Sequence, residues 1–169
     1  MGKTTVLART VSALRERGIS VGGMFSREVR EGGVRVGFEI VDIASGRRGW
    51  LAHVNQQDGP QVGKYRVNVG DLETVGVQAI IDAVENHDVV SIDEIGPMEL
   101  FSEKFKEAAQ KALESSKLVI AVVHWKAQDK LVLDAKSRAD AEVFTVTTQS
   151  RETLHEALVE KVIAFLKQG

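Results

Sequence analysis

The chain has 169 residues, 43% of them hydrophobic and 27% charged, which is the size and mix of one compact globular domain about 15 Å in radius of gyration. Its 22 basic and 24 acidic side chains give a formal charge of −2, which removes the case for a generally basic surface, so nucleic acid is not expected as a partner. The absence of cysteine excludes disulfides, catalytic thiols and Cys-based metal sites; the longest apolar run, Leu118–Val123, is six residues and too short for a membrane span, and with no signal-peptide core a cytoplasmic location is expected.

Gly2-Lys3-Thr4-Thr5 runs directly into a helix in which Leu7, Val11 and Leu14 recur at helical spacing and Gly18 is the stop. Ser20–Phe25 is short, small and apolar. From Glu28 to Ile43 the text reads as a hairpin turning at Gly32-Gly33, with Val34, Val36, Phe38 and Ile40 alternating with polar or small residues. Trp50–Val54 and Tyr65–Val69 are further strand candidates, separated by a polar loop from Asn55 to Gly63. Asp71 is the expected cap of a helix burying Leu72, Val75, Ala79, Ile80, Ala83 and Val84. Asp88–Ile92 is a short strand ending in acids. Ser102 is the cap of a helix with Phe105, Ala108, Ala109, Ala112 and Leu113 inward. Lys117–Val123 reads as a strand covered on both faces. A short helix follows near Asp129–Lys136, and Val143–Val146 is a last strand. Ser150 caps a final helix that buries Leu154, Ala157, Leu158, Val162 and Phe165. Strands alternating with helices in the second half imply a mainly parallel sheet flanked by helices; residues from about 23 to 69 read as a β-hairpin insertion within a single domain of residues 1–169.

Two motifs carry chemistry. In Gly2-Lys3-Thr4-Thr5 the lysine can reach β- and γ-phosphates, the Thr4 hydroxyl can bind Mg²⁺, and the helix start adds a positive dipole. It is the last third of a full phosphate loop, G-x-x-x-x-G-K-[ST]. Val89-Val90-Ser91-Ile92-Asp93-Glu94 is an apolar strand ending in two acids, the pattern of a Walker B element. There Asp93 can hold a Mg²⁺-bound water and Glu94 can orient or deprotonate the attacking water. The two halves of one phosphate machine stand in the expected chain order. Arg27, Arg30, Arg35 and Lys64 form a basic group in the β-rich region, of which Arg30 is the candidate for neutralising transition-state charge. His53, His87, His124 and His155 show no metal spacing; His124, directly after a strand, is a candidate γ-phosphate sensor, with packing beside Trp125 as the other reading.

Gly2-Lys3-Thr4-Thr5, Gly22-Gly23, Glu28-Val29-Arg30, Arg35-Val36-Gly37-Phe38, Gly63-Lys64-Tyr65 and Asp93-Glu94-Ile95-Gly96-Pro97-Met98-Glu99-Leu100 follow one another as in a known family. Over nearly its whole length the chain resembles the small P-loop nucleoside-triphosphatases of the thermophile and cancer-related type. The resemblance implies a RecA-like α/β P-loop NTPase core and hydrolysis of ATP, GTP, CTP and other nucleoside triphosphates to diphosphates with Mg²⁺. Carried over by position, Lys3 grips phosphate within the nucleotide-binding run Gly2, Lys3, Thr4 and Thr5. Thr4 and Asp93 hold the metal, and Glu94 is the base. The resemblance also implies a first strand and a glycine-rich loop ahead of Gly2, which this sequence lacks. The expectation is that Met1 stands for a valine codon taken as a start, with the reading frame continuing upstream. A nucleotide-binding module with little turnover and a small-molecule phosphotransferase are the alternative functions. The oligomeric state stays open, a monomer being compatible with the sequence.

Overall fold

A computed structural model describes residues 2–124 and 126–168. Met1 and Trp125, on each of which one expectation fell, lie outside them. The elements in chain order are α1 (Lys3–Glu16), β1 (Val21–Glu31), β2 (Val34–Asp42), β3 (Arg48–His53), β4 (Gln61–Val62) and β5 (Tyr65–Val67). A helix then starts as α2 (Val69–Asp71), passes through a π-helical stretch at Leu72–Val77, and continues as α3 (Gln78–Asn86). After it come β6 (Val89–Ile95), a 3₁₀ turn at Glu99–Phe101, α4 (Glu103–Glu114), β7 (Leu118–Val123), α5 (Lys130–Ser137) and α6 (Leu154–Gln168).

One seven-stranded sheet runs β4-β5-β3-β2-β1-β6-β7. It is mixed. The pairs β1·β6 and β6·β7 are parallel, whereas β1·β2, β2·β3, β3·β5 and β4·β5 are antiparallel. The parallel part expected from the alternating elements is therefore three strands wide. The hairpin continues the same sheet because β1 is long enough for both tasks. Val21–Phe25 pairs with β6 along one edge, and Met24–Glu31 pairs with β2 along the other, so the two pairings overlap at Met24 and Phe25. Gly23 makes the close approach possible: it has φ +112°, and a Cβ there would stand 1.9 Å from the Ser91 carbonyl oxygen.

Apolar residues fill both faces of the sheet. On one, Met24, Ile40, Val90, Ile92 and Ile95 meet the helices α3 and α4 through Ile80, Ala83, Phe105 and Ala109. On the other, Val21, Val89 and Val122 meet α1 and α6 through Leu7, Val11, Leu14, Val159 and Val162. Alternation along β6 sends Val90 and Ile92 one way and Val89, Ser91 and Asp93 the other. Phe105 is fully enclosed. Phe105→Ala is expected to lower stability by about 3–5 kcal/mol, read as a drop in urea midpoint.

Several expected boundaries shift for physical reasons. Ser102 caps α4 as read, its Oγ accepting the Phe105 N–H at 3.0 Å. The cap at the start of α2 is Asn68, whose Oδ1 accepts the Asp71 N–H at 2.9 Å. Asp71 instead accepts the Trp50 N–H at 2.8 Å, tying the helix to β3. β7 lies at the sheet edge and its residues are mostly half-buried, so it is not the doubly covered strand its composition suggests. Val143–Val146 forms no strand; Val143 is 60% exposed, and no described strand pairs with this stretch. Ser150 bonds Thr147 one turn ahead of α6, and α6 begins at Leu154. Only the seam Val159 and Val162, with Ile163 and Leu166, packs toward α1, which leaves Phe165 exposed. Among the described residues no helix is long and apolar enough to cross a membrane.

Candidate active site

Gly2 stands just ahead of α1 as its N-cap, with φ 87°, a left-handed turn that glycine adopts without strain. No side chain caps this helix and its first turn carries no acid. The first-turn N–H groups and the positive end of the helix dipole are left to serve an anion. Lys3 comes off the same turn, and its Nζ donates to the Val123 carbonyl oxygen at 3.2 Å. That contact places the ammonium at the C-terminal end of β7.

Parallel strands bring a second group to the same end. Asp93 pairs with Phe25 on one side and Val122 on the other, so its backbone is held in the middle of three strands. The ladder then breaks: the β6·β7 register shifts between Asp93 and Ile95, where Ile95 pairs with Val123. Glu94 is the extra residue, released from the ladder as in a β-bulge that re-aims a side chain. The Asp93–Glu94 peptide is cis. The carboxylate of Glu94 lies against Gly96, where a Cβ would come within 2.7 Å of its Oε1.

Asp93 is buried, and its pKa is pushed up to about 6 chiefly by that burial. The Thr4 hydroxyl, which faces it, pulls the other way. The charge of Glu94 raises the value further, and Lys3 opposes it. A carboxylate removed from water and faced by a hydroxyl and an ammonium is poised to take a cation. Among the described residues no three His, Asp or Glu side chains cluster as a metal cage. A hydroxyl and a carboxylate oxygen are hard donors that suit Mg²⁺ completed by water and phosphate oxygens.

Gly2, Lys3, Thr4, Asp93 and Glu94 thus meet at one end of the parallel strands, the usual location of ligand sites in such sheets. Thr5 is on the exposed side of the α1 start. His124 follows β7 directly; its N–H donates to Ile95 at 3.1 Å, and its buried Nδ1 has no partner among the described residues. Arg30 is not brought to this group. It lies five residues beyond Phe25 along β1, about 16 Å of strand, and its guanidinium donates to Glu28 at 3.3 Å and to the Gly33 carbonyl at 3.1 Å within its own hairpin. Arg35 and Arg27 are similarly occupied, with Tyr65 and Glu39.

Three residues near the site escaped the sequence reading. The Arg151 side chain lies beside Gly2, with Cβ 3.3 Å and Cδ 3.5 Å from where a Gly2 Cβ would be. Glu99 is 2% exposed behind the Asp93-Glu94 turn. Ser91 is buried beneath Asp93 with an Oγ that has no partner among the described residues. It borders a cleft of about 540 Å³ that opens between α1 and the β1–β2 part of the sheet and ends at Thr4 and Asp93. Glu99 was visible as an acid inside an apolar string. Nothing local marked Arg151, since its neighbour is at the other end of the chain.

A family model described as NTPase matches residues 1–159. The nucleoside-triphosphatase THEP1 of Thermofilum pendens is 47% identical over 167 residues, 98% of this chain and 92% of that protein. THEP1 of Methanothermobacter thermautotrophicus is 44% identical over 159 residues, 94% and 88% of the two chains. The crystal structure of THEP1 from Aquifex aeolicus superposes with a TM-score of 0.82 at 25% identity, covering 96% of this chain and 93% of that one. The solution structure of a human cancer-related nucleoside triphosphatase gives 0.80 at 32% identity, covering 96% and 92%. The α/β sheet with an anion-ready helix start, a lysine and paired acids agrees with these matches: the chain belongs to the THEP1 family of P-loop nucleoside-triphosphatases and is an enzyme of that class.

Proposed function

We propose that the enzyme hydrolyses nucleoside triphosphates to diphosphate and phosphate with Mg²⁺, and that it accepts several bases. The observation that carries this reading is the convergence of Lys3, Thr4, Asp93 and Glu94 where α1 starts and β6 ends. In it, the N–H groups from Gly2 to Thr5 cradle phosphate oxygens, and Lys3 leaves Val123 for the β- and γ-phosphates. Thr4 and Asp93 would hold the metal, which when bound neutralises charge that develops on the phosphates. Glu94, free of the β ladder, orients a water in line with the β–γ bridge and takes its proton. Arg151, whose Cβ and Cδ lie beside Gly2 and whose Nε stands 3.8 Å from Glu152, supplies a further cation once its guanidinium turns to the phosphates. His124 senses the γ-phosphate from the end of β7. The role assigned to Arg30 requires the β1–β2 hairpin to bend over the triphosphate. A single functional domain, in which the hairpin strands extend the core sheet, and a cytoplasmic setting complete the reading.

The relatives are named as triphosphatases, and no observation favours a non-hydrolytic binder or a phosphotransferase. The test is phosphate release from ATP, GTP and CTP, with Mg²⁺ and with EDTA. Release from all three that stops with EDTA is the expected result; release indifferent to EDTA would remove the metal, and release from one nucleotide alone would remove the broad base preference. Lys3→Ala is expected to raise KM and lower kcat together, because it removes contacts made to the bound and to the reacting triphosphate.

A further inference from the structure

Glu99 is an unusual residue to enclose. A glutamate is seldom fully buried unless it is paired, yet among the described residues no basic side chain is among the groups that act on its carboxyl. The groups that face its carboxyl are the main-chain N–H of Gly96, its own N–H, and the charges of Glu94 and Asp93. The turn around it is closed by the Leu100 N–H donating to Gly96 at 3.0 Å and the Ser102 N–H donating to Glu99 at 3.1 Å. An apolar side chain would satisfy burial but would leave the Gly96 and Glu99 N–H groups without this acceptor.

Gly96 links Glu99 to the reacting end of the site. The Glu94 carboxylate rests on Gly96, whose added Cβ would stand 2.7 Å from Oε1 and 3.1 Å from Cδ. Because the ladder is interrupted at Glu94, strand pairing does not locate that carboxylate. The surface it leans on does.

We propose that Glu99 is a positioning residue for Glu94: its buried side chain packs into the turn that closes on Gly96, with its carboxyl facing the Gly96 N–H, and so fixes the backbone surface against which the Glu94 carboxylate lies. The proposal rests on the reading of Glu94 as the group that activates water. Glu99 itself is enclosed and does not meet the substrate, so its influence on turnover passes through Gly96 and Glu94.

The experiment compares Glu99→Leu, Glu99→Gln and Gly96→Ala, each alone and combined with Glu94→Gln. Gly96 has no positive φ, so alanine is allowed by the backbone and what it displaces is the end of the Glu94 side chain. Turnover of Mg²⁺-ATP and affinity for a fluorescent methylanthraniloyl ATP are measured, with circular dichroism as the control for folding. Glu99→Leu and Gly96→Ala are expected to lower kcat by about 10²-fold, the scale set by misplacing a reacting group by an ångström, while nucleotide affinity changes less than about threefold. Glu99→Gln keeps an acceptor for both N–H groups and recovers most of the loss. In the Glu94→Gln background none of the three lowers kcat further, since the group they position is gone.

A folded Glu99→Leu enzyme with native kcat overturns the proposal. So does a loss of the same size with and without Glu94, which marks a general structural role. Should Glu99→Leu not fold, Gly96→Ala decides: unchanged kcat there overturns the link. Full activity of Glu94→Gln alone is a separate result, which removes the base and the proposal with it.

Discussion

Glu94→Gln is expected to lower the rate of phosphate release by roughly 10²–10⁴-fold, the usual contribution of a general base, while nucleotide affinity stays at its native level or rises. The amide has the size of the carboxylate and can occupy the same place against Gly96. It cannot accept the proton of an attacking water. Lys3 and Thr4 are untouched by the change. Asp93 becomes easier to ionise, because the charge of Glu94 is one of the influences that raise its pKa, so cation binding is not weakened. Single-turnover phosphate release and a parallel titration with a fluorescent ATP analogue separate the two quantities. Native turnover in the variant would take the role of base away from Glu94. A loss confined to affinity would reassign it to binding.

Glu99→Gln is expected to produce the largest change in stability above neutral pH. Burial pushes the Glu99 carboxyl from an ordinary 4.5 up to about 8, assisted by the charges of Glu94 and Asp93 and opposed by the N–H groups of Glu99 and Gly96. Below about pH 4.5 the group is protonated in both the folded and the unfolded chain and has no effect. Between 4.5 and about 8 the unfolded chain releases the proton and the folded chain keeps it, so stability falls as pH rises. Above the folded value the penalty is constant. At about 1.4 kcal/mol per pH unit this interval corresponds to a loss of the order of a few kcal/mol. Asp93 acts in the same direction, but only from 3.8 to about 6. The decline between pH 6 and 8 therefore isolates Glu99. Urea unfolding at pH 6 and pH 8.5 is expected to show a steep fall for the native enzyme and a shallow one for Glu99→Gln. Parallel declines in the two proteins would show that Glu99 does not keep its proton.

Much of the fold could be read from neighbouring residues. The α1 stripe Leu7, Val11, Leu14 and the α4 stripe Phe105, Ala108, Ala109, Ala112 are buried as their spacing demands. The Ser102 cap and the turn at Gly32-Gly33 are short-range devices, and both stand where the text puts them. The same holds for Gly2-Lys3-Thr4-Thr5 at a helix start and for Asp93-Glu94 at a strand end. Each depends on side chains a few positions apart, whose helical or strand periodicity is written in order along the chain. The failures also have a pattern. Asp71 and Asn68 are both good caps, and the choice between them was made by the Trp50 N–H on β3, which takes the Asp71 carboxylate. Phe165 has the right spacing for burial on α6, but the seam against α1 is too narrow to reach it.

From local order alone, then, came the helices, the hairpin, the phosphate-binding text and the acids that answer it. Long-range contact settled which strand is at the edge, which carboxyl is sealed from water and which cations stand near the helix start. Lys3 finds Val123, 120 residues away, and Arg151 finds Gly2 from the far end of the chain. Arg30, close in sequence to the core strand, is carried off by its own hairpin to Glu28 and Gly33. Glu99 stands out in the sequence only as an acid in an apolar string, and it is the 3₁₀ turn that buries it behind Glu94. The physical reason is that periodicity records only which face of an element is apolar. Burial of a particular charge, and the partner it meets, follow from how whole elements pack, and that is a property of the assembled sheet and its two helical layers.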